Sequence, residues 1–530
     1  MNNILLKKIV NASKWHLLSE KGITLFSAAV KPTSMLPIDC NTSSAFAWLL
    51  YDENKQEIIA ARDYLGLEPF YYCYQNQILV FGSTIHDVIK QLPKFPELNI
   101  NRLLEECFHN DQILMIKYSN ETHYQGIFRL EAGSRLFIKN RQLYQEKYWS
   151  FDRGGPTIYY ANEQDYIDHF SELLNKAVLS QIQSHHKLAA EYSGGLDSTA
   201  ILAVCHQHQI DVPLFCHVAE TGQGGGDFSF AECVIEHFNW KNVNYVDAKD
   251  QDLNTLFQTL AQIYAGATPY VYPIMSHNVY QSIKNYGCNR ILSGFGGDQC
   301  VSVHAGERLF FFELLQKRCY KQAWREYFDI YPDRKYFKAL LDLVRYQSSV
   351  LHAVLCKFGD IKSILKSYIE TTSIERRPRF PQHYTSVREM QVDFLEGSFC
   401  HEVRARVEYS AVLGKSMGFS HVYPLLHPDV VDFALRIPCE LKHHLGQNRY
   451  LMRKYLSKFV LEKNYTQKKR EGAHIMPAMM AKCKNYVETT DDLDFFIQNL
   501  PFSKQIQPAN SLHSQVRHVI CAYMLHAYLT

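Results

Sequence analysis

The sequence predicts an α/β protein in two parts. Residues 1–153 form a mainly antiparallel-sheet domain. Residues 154–530 form an open parallel sheet with helices on both faces and a helical C-terminal part. Three observations predict this. Short apolar and aromatic runs divided by turn residues fill the first 150 residues. Short apolar runs then alternate with stretches of helical period. From about residue 308 the helical period dominates.

The elements follow in order. Ser44–Tyr51, Glu57–Ala61, Phe70–Tyr74 and Gln77–Phe81 read as strands, separated by turn residues at Asp52-Glu53-Asn54 and Gln75-Asn76. Arg135–Lys139 and Arg141–Tyr148 read as a hairpin turned at Asn140. Gly154, Gly155 and Pro156 read as a linker. Beyond it Tyr166, Phe170, Leu173, Leu174, Ala177, Val178 and Ile182 recur at helical spacing. Leu188–Tyr192, Leu214–Val218, Val243–Asp247 and Arg290–Ser293 read as buried strands. Helices over Ser198–His208 and Phe230–Phe238 fall between them. There is no internal repeat and no low-complexity tract.

Composition excludes several classes. With 56 Lys+Arg against 54 Asp+Glu, the net charge of +2 gives no overall attraction to nucleic acid. An apolar content of 46% and a charged content of 21% exclude wholesale disorder. The 34 Tyr and 31 Phe read as aromatic core, or as the lining of a peptide or nucleotide cleft. No run approaches the roughly 20 apolar residues a membrane helix needs, and the start lacks a signal-peptide pattern, so the expected location is the cytoplasm without membrane insertion. The 14 cysteines are scattered without a CxxC pair and read as reduced, buried thiols. His185-His186 and His443-His444 lack the spacing of a zinc site.

Two glycine-rich loops carry the chemistry. Ser193-Gly194-Gly195-Leu196-Asp197-Ser198 follows a predicted strand and opens a predicted helix. Glycines let a backbone approach an anion, and a helix start offers unpaired N–H groups to phosphate. Asp197 would repel phosphate unless a cation lies between them, which points to Mg²⁺. Ser293-Gly294-Phe295-Gly296-Gly297-Asp298 repeats this logic after another strand. Loops at the carboxyl ends of parallel strands face one crevice, so Asp197 and Asp298 are expected to share Mg²⁺ bound to a triphosphate. The loop Thr221–Asp227 is either a nucleotide clamp or a solvent loop.

SGGLDS followed by SGFGGD resembles the PP-loop, adenine nucleotide alpha hydrolase-like domain of the asparagine synthetase group. The likeness extends upstream to Arg62–Tyr71, Phe81–Ile85, Gly126–Ser134 and Tyr148-Trp149, and downstream to Tyr423–His427 and Asp432–Pro438. It implies an Ntn-hydrolase-like glutamine amidotransferase domain over 1–153 and an ATP-dependent adenylating domain over 154–530. ATP would be cleaved between its α- and β-phosphates to activate a carboxylate.

Departures narrow the expectation. Glutamine-using members carry a nucleophilic cysteine at the start of the mature chain. This sequence begins Met1-Asn2-Asn3 and has no cysteine before Cys40, so the first domain is expected to be a degenerate relic. His427 stands where the group has an aspartate, and Phe419–Pro424 lacks the group's acid and arginine around the amino-acid pocket. These departures resemble the branches that close rings. A lasso-peptide cyclase joins an Asp or Glu side chain of a short precursor peptide to its N-terminal amine. It would work beside a leader peptidase and a leader-binding protein. A β-lactam synthetase-like enzyme, an ammonia-dependent asparagine synthetase and a non-catalytic ATP-binding scaffold are the alternatives.

The resemblance also implies a lysine that stabilises the second step. Within Gln467–Gly472 the candidates are Lys468, Lys469 and Arg470, with Lys469 favoured; the alternative is a solvated basic helix end. Glu402, Glu408 and Tyr409 are candidates for a base or an orienting pair. A salt-bridged amphipathic helix is the alternative.

Overall fold

The computed structural model describes residues 8–11, 16–20, 23–28, 45–108, 119–152, 154–182, 187–218, 226–247, 251–268, 271–303, 307–330, 384, 386–397, 402–466, 481–486, 497–498, 500, 503–506 and 512–529.

The first part is a sandwich of two sheets. The outer sheet runs β10 (Gln142–Lys147), β9 (Ser134–Lys139), β5 (Glu57–Arg62), β4 (Ala47–Asp52), β3 (Ile23–Ser27), β2 (His16–Glu20), antiparallel throughout. The inner sheet runs β1 (Lys8–Asn11), β7 (Ile78–Gly82), β6 (Tyr71–Gln75), β8 (Phe128–Arg129). Its β1–β7 pair is parallel, a departure from the antiparallel expectation. The tight turns at Asn76-Gln77 and Asn140-Arg141 place both central residues at positive φ, the turn whose twist suits a hairpin. Leu49, Ala60 and Leu136 of the outer sheet pack on Tyr72, Leu79 and Phe81 of the inner one. Alternation in β6 sends Tyr71 and Cys73 the other way, towards α1 (Ile85–Lys90) and the second part of the chain. A further helix, α2, spans Ile100–Cys107.

The second part holds five parallel strands in the order β13 (Val243–Asp247), β12 (Leu214–Val218), β11 (Leu188–Tyr192), β14 (Arg290–Leu292), β15 (Ser420–Val422). The chain moves outward from β11 to β13, then crosses back to β14, so the switch point falls between β11 and β14. Ala190, Tyr192, Leu214 and Cys216 face α3 (Glu163–Leu179) and α4 (Leu196–Gln207). Between β12 and β13 lies α5 (Gly226–His237). Ala189, Phe215 and Ile291 face the opposite layer, α6 (Leu253–Tyr264) and α7 (Val271–Tyr286).

The remainder is helical: α8 (Gly297–Cys300), α9 (Glu307–Gln316), α10 (Tyr320–Ile330), α11 (Val387–Glu396), α12 (Glu402–Met417), α13 (Pro428–Arg436), α14 (Tyr450–Leu456), α15 (Glu462–Thr466) and α16 (Leu512–Leu529). Ser386 opens α11 by accepting the Glu389 N–H, the first half of a capping box, and Gly397 closes it in the left-handed region. The stretch after 308 is largely helical, as expected, but it also holds β15, which completes the sheet, and a short antiparallel pair of His443–His444 with Gln447–Asn448. Three residues are too few to show a period of two.

Candidate functional site

Both glycine loops leave the carboxyl ends of strands that flank the switch point. Ser193 follows β11 and is exposed; Gly194 takes a left-handed φ of +75°. Gly195 is the N-cap of α4 and no side chain caps that helix, so its positive end can receive an anion. Ser193 Oγ accepts the Gly195 N–H at 3.3 Å and lies 3.3 Å from Ser198 Oγ, which in turn donates to the Gly195 carbonyl. Leu196 is buried in the core under the loop.

The second loop lies directly on the first. Ser293 is buried, and its N–H reaches the Val422 carbonyl of β15. A Cβ on Gly294 would stand 2.6 Å from the Ser198 backbone nitrogen, and a Cβ on Gly297 would overlap the Asp197 carboxylate. Only glycine permits this approach at either position. Gly296 precedes α8.

Asp197 and Asp298 thereby converge. The Arg449 guanidinium bridges them, with Nη1 3.0 Å from Asp197 Oδ1 and Nη2 on Asp298. Burial works against the Arg449 charge, but the two carboxylates hold its pKa above the usual value. Arg449 sits in the left-handed region at φ +60°, and Arg453 pins its turn by donating to the Asn448 carbonyl at 2.7 Å. A cation therefore already occupies the point between the two carboxylates. The donor set there is hard oxygen, which suits Mg²⁺ held together with substrate phosphates.

Behind the second loop a further set of buried and half-buried polar groups faces the strand ends. Glu191 of β11, His217 of β12 and His421 of β15 project from the α6–α7 face of the sheet. Tyr272 donates to Glu191 Oε1 at 2.7 Å and lies 2.7 Å from the Tyr280 hydroxyl, which meets His421 Nε2 at 2.8 Å. Arg406 of α12 stacks over the Tyr272 ring at 2.9 Å and lies 4.9 Å from the ring of Phe295 in the second loop. Burial alone would raise the Glu191 pKa; His421, Arg406 and the Tyr272 hydroxyl together hold it below the usual carboxylate range. Burial pushes His421 down to about 4, so its imidazole is neutral at pH 7.

The other candidates divide. Glu402 reaches the site: its Oε1 accepts from Gln299, next to Asp298, at 3.2 Å. Glu408 does not, being held by Arg62 at 2.5 Å and by the Tyr71 hydroxyl at 2.5 Å. Tyr409 is corrected too. It points with Glu408 to the domain junction, its ring against Tyr264 at 5.2 Å and around a small cavity with His123 and Arg129, not to the loops. The amino-acid-pocket reading of Phe419–His427 fails at both ends. Ser420 pairs with Arg290 at the strand ends remote from the loops, and His427 Nδ1 caps α13 by accepting the Asp429 N–H. Lys468, Lys469 and Arg470 lie outside the described residues, as does most of Thr221–Asp227. Among the described residues no group of three or more His, Cys, Asp or Glu side chains is placed to hold a metal, and no helix is long and apolar enough to cross a membrane.

Sequence reasoning missed Arg449, Glu191, Tyr272 and Arg406. Glu191 left a signal: a lone acid within an otherwise apolar strand, two residues before the loop. Arg449 left none, because only the fold brings it to the loops.

The two glycine loops and the paired carboxylates stand at the switch point of an open parallel sheet, the place where such sheets bind ligands. Comparison gives the family. Residues 169–494, more than half of the chain, match the family described as Asparagine synthase, and residues 40–149 match the Glutamine amidotransferase domain. The chain belongs to the asparagine synthase family.

A putative glutamine-hydrolyzing asparagine synthetase of Methanocaldococcus jannaschii is 26% identical over 316 residues, 57% of this chain and 59% of that protein. The amidase chry2 of Gibberella zeae is 28% identical over 162 residues, 29% of this chain and 22% of that protein. The glutamine-hydrolyzing asparagine synthetase 3 of Bacillus subtilis is 27% identical over 175 residues, 32% of this chain and 27% of that protein. The chain thus spans less than two thirds of the length of each of these relatives.

Proposed function

We propose that the protein is an ATP-dependent, AMP-forming amide ligase, and that its substrate is a short peptide closed into a macrolactam, as in a lasso-peptide cyclase. One observation carries the ligase reading: the loops after β11 and β14 interlock and aim Asp197 and Asp298 at a single cation position beside an uncapped helix start. The N–H groups opening α4 and the Ser193 hydroxyl receive the polyphosphate. Asp197 and Asp298 would hold Mg²⁺, which would supply charge neutralisation for the polyphosphate. A carboxylate oxygen attacks the α-phosphorus and pyrophosphate leaves. An amine nitrogen then attacks the acyl carbon, the carbon–oxygen bond to AMP breaks with its electron pair, and the amine proton leaves with the AMP phosphate.

The ring-closing form draws on the first domain. Of the cysteines before residue 153, the described ones are Cys73 and Cys107, both buried. Burial pushes the Cys73 thiol up to about 11 and that of Cys107 well above its usual value, so neither supplies a thiolate for glutamine hydrolysis. An amine on the same molecule as the activated carboxylate gains from proximity. A leader peptidase and a leader-binding protein would prepare such a peptide.

The test gives purified protein Mg-ATP with either aspartate plus ammonia or a linear peptide that has an N-terminal glycine and an internal acidic residue. Pyrophosphate and product mass are followed together. The expected result is pyrophosphate and a peptide one water lighter. Asparagine in the first tube would establish a synthetase instead, loss of one water from a small β-amino acid supplied in a third tube without ammonia a β-lactam-type cyclase, and peptide binding without pyrophosphate a scaffold.

A further inference from the structure

Glu191 and Arg406 carry opposite charges into the same half-buried recess and yet do not pair. Tyr272 stands between them. Its hydroxyl proton goes to Glu191 Oε1, and its ring face lies under the Arg406 guanidinium. The rings of Tyr272 and Phe295 lie against the guanidinium, so its charge acts on Glu191 across the tyrosine without a direct ion pair. Arg406 Nε is buried without a hydrogen bond, and Glu191 Oε2 accepts none among the described residues. Such a carboxylate keeps its lone pairs aimed at the recess. His217 and His421, the other polar groups projecting from this face, have their pKa values lowered mainly by burial, so neither offers a fixed positive charge to it.

Position matters as much as charge. Glu191 stands two residues before Ser193 on the same strand, about 7 Å along it, so a group held there lies beside the nucleotide loop. Phe295, which closes the recess, belongs to the loop that carries Asp298.

We propose that this recess is the acyl-acceptor subsite of the ligase, in which Glu191 Oε2 receives the N–H groups of a primary amine that enters as ammonium and gives one proton to water before its nitrogen attacks, with Tyr272 fixing the carboxylate and Arg406 walling the far side. This rests on the ligase reading above. Phosphate would be repelled from the recess, and an uncharged acceptor would leave the carboxylate unpaired. A protonated amine matches both its charge and its open acceptor.

The experiment separates the two half-reactions. Carboxylate-dependent exchange of labelled pyrophosphate into ATP reports adenylation, amide product reports transfer, and hydroxylamine, a small nucleophile largely neutral at pH 7, traps the acyl-adenylate without a carboxylate to hold it. The probes are aspartate with ammonium chloride and the linear peptide. Glu191→Gln is expected to keep exchange and hydroxamate formation within about threefold of wild type while amide formation at low amine falls at least about tenfold, the size of one charged hydrogen bond. Tyr272→Phe, which keeps the charge, is expected to show a smaller loss in amide formation alone. Unchanged amide formation in Glu191→Gln would overturn the proposal, and so would equal loss of exchange and amide in both variants. If the wild-type protein exchanges pyrophosphate with neither probe, the ligase reading itself fails and this subsite with it.

Discussion

At the domain junction buried charges meet. Arg62 donates to three backbone carbonyls and to Glu408, and Arg404 pairs with Glu396 at 3.0 Å while Lys147 reaches the same carboxylate. At the strand ends the charges are as close but arranged differently. Arg449 is shared by two carboxylates from separate loops, and Glu191 and Arg406 stay apart with a tyrosine between them. The junction repays its desolvation internally and holds the sandwich against the helices of the parallel sheet. The strand ends keep charge that a substrate can satisfy. Closely related chemistry therefore serves cohesion in one region and recognition in the other.

The largest break in this contrast comes at the loops. Asp197→Ala is expected to lower pyrophosphate release at least about a hundredfold with unchanged circular dichroism, because the cation position is lost while Arg449 keeps Asp298 as a partner. At the junction the damage should be to stability instead. Glu408→Gln strands the buried Arg62 charge and is expected to cost about 3–5 kcal/mol in urea unfolding, whereas Glu191→Gln should change stability by about 1 kcal/mol or less. Equal losses in the two variants would erase the distinction between the regions.

His421 sharpens it by pH. Its imidazole stays neutral in the fold down to about pH 4, whereas an unfolded histidine takes a proton near pH 6.5. The unfolded chain binds more protons between those values, so stability falls as pH drops from 6.5 to 4, by up to about 3 kcal/mol from this group. His421→Phe is expected to flatten that part of the urea-midpoint profile. The smallest effect belongs to Tyr409→Phe. Its ring serves the junction, so pyrophosphate release should stay within about twofold of wild type.

Much of this was legible in the chain. Leu188–Tyr192, Leu214–Val218 and Val243–Asp247 appear as strands at the residues read for them; the first two are central and mostly buried, which leaves near-continuous apolar runs, while the third is an edge strand. The glycine loops were legible because close approach of backbone to phosphate restricts the residues that fit. β15 was hidden by its length and by the helices around it. On α12 the charged residues look alike in sequence, yet Glu402 and Arg406, one turn apart, face the strand ends while Glu408 and Tyr409 face the junction. Helical period alone does not say which neighbour each face meets. Arg449 needed a turn far along the chain to return to the loops.

The central claim is that the paired loops split ATP between its α- and β-phosphates. The most direct measurement is the identity of the nucleotide formed when the protein turns over Mg-ATP with its carboxylate and amine substrates. The account predicts AMP and pyrophosphate in equal amounts, both abolished by Asp197→Ala; ADP and inorganic phosphate would contradict it.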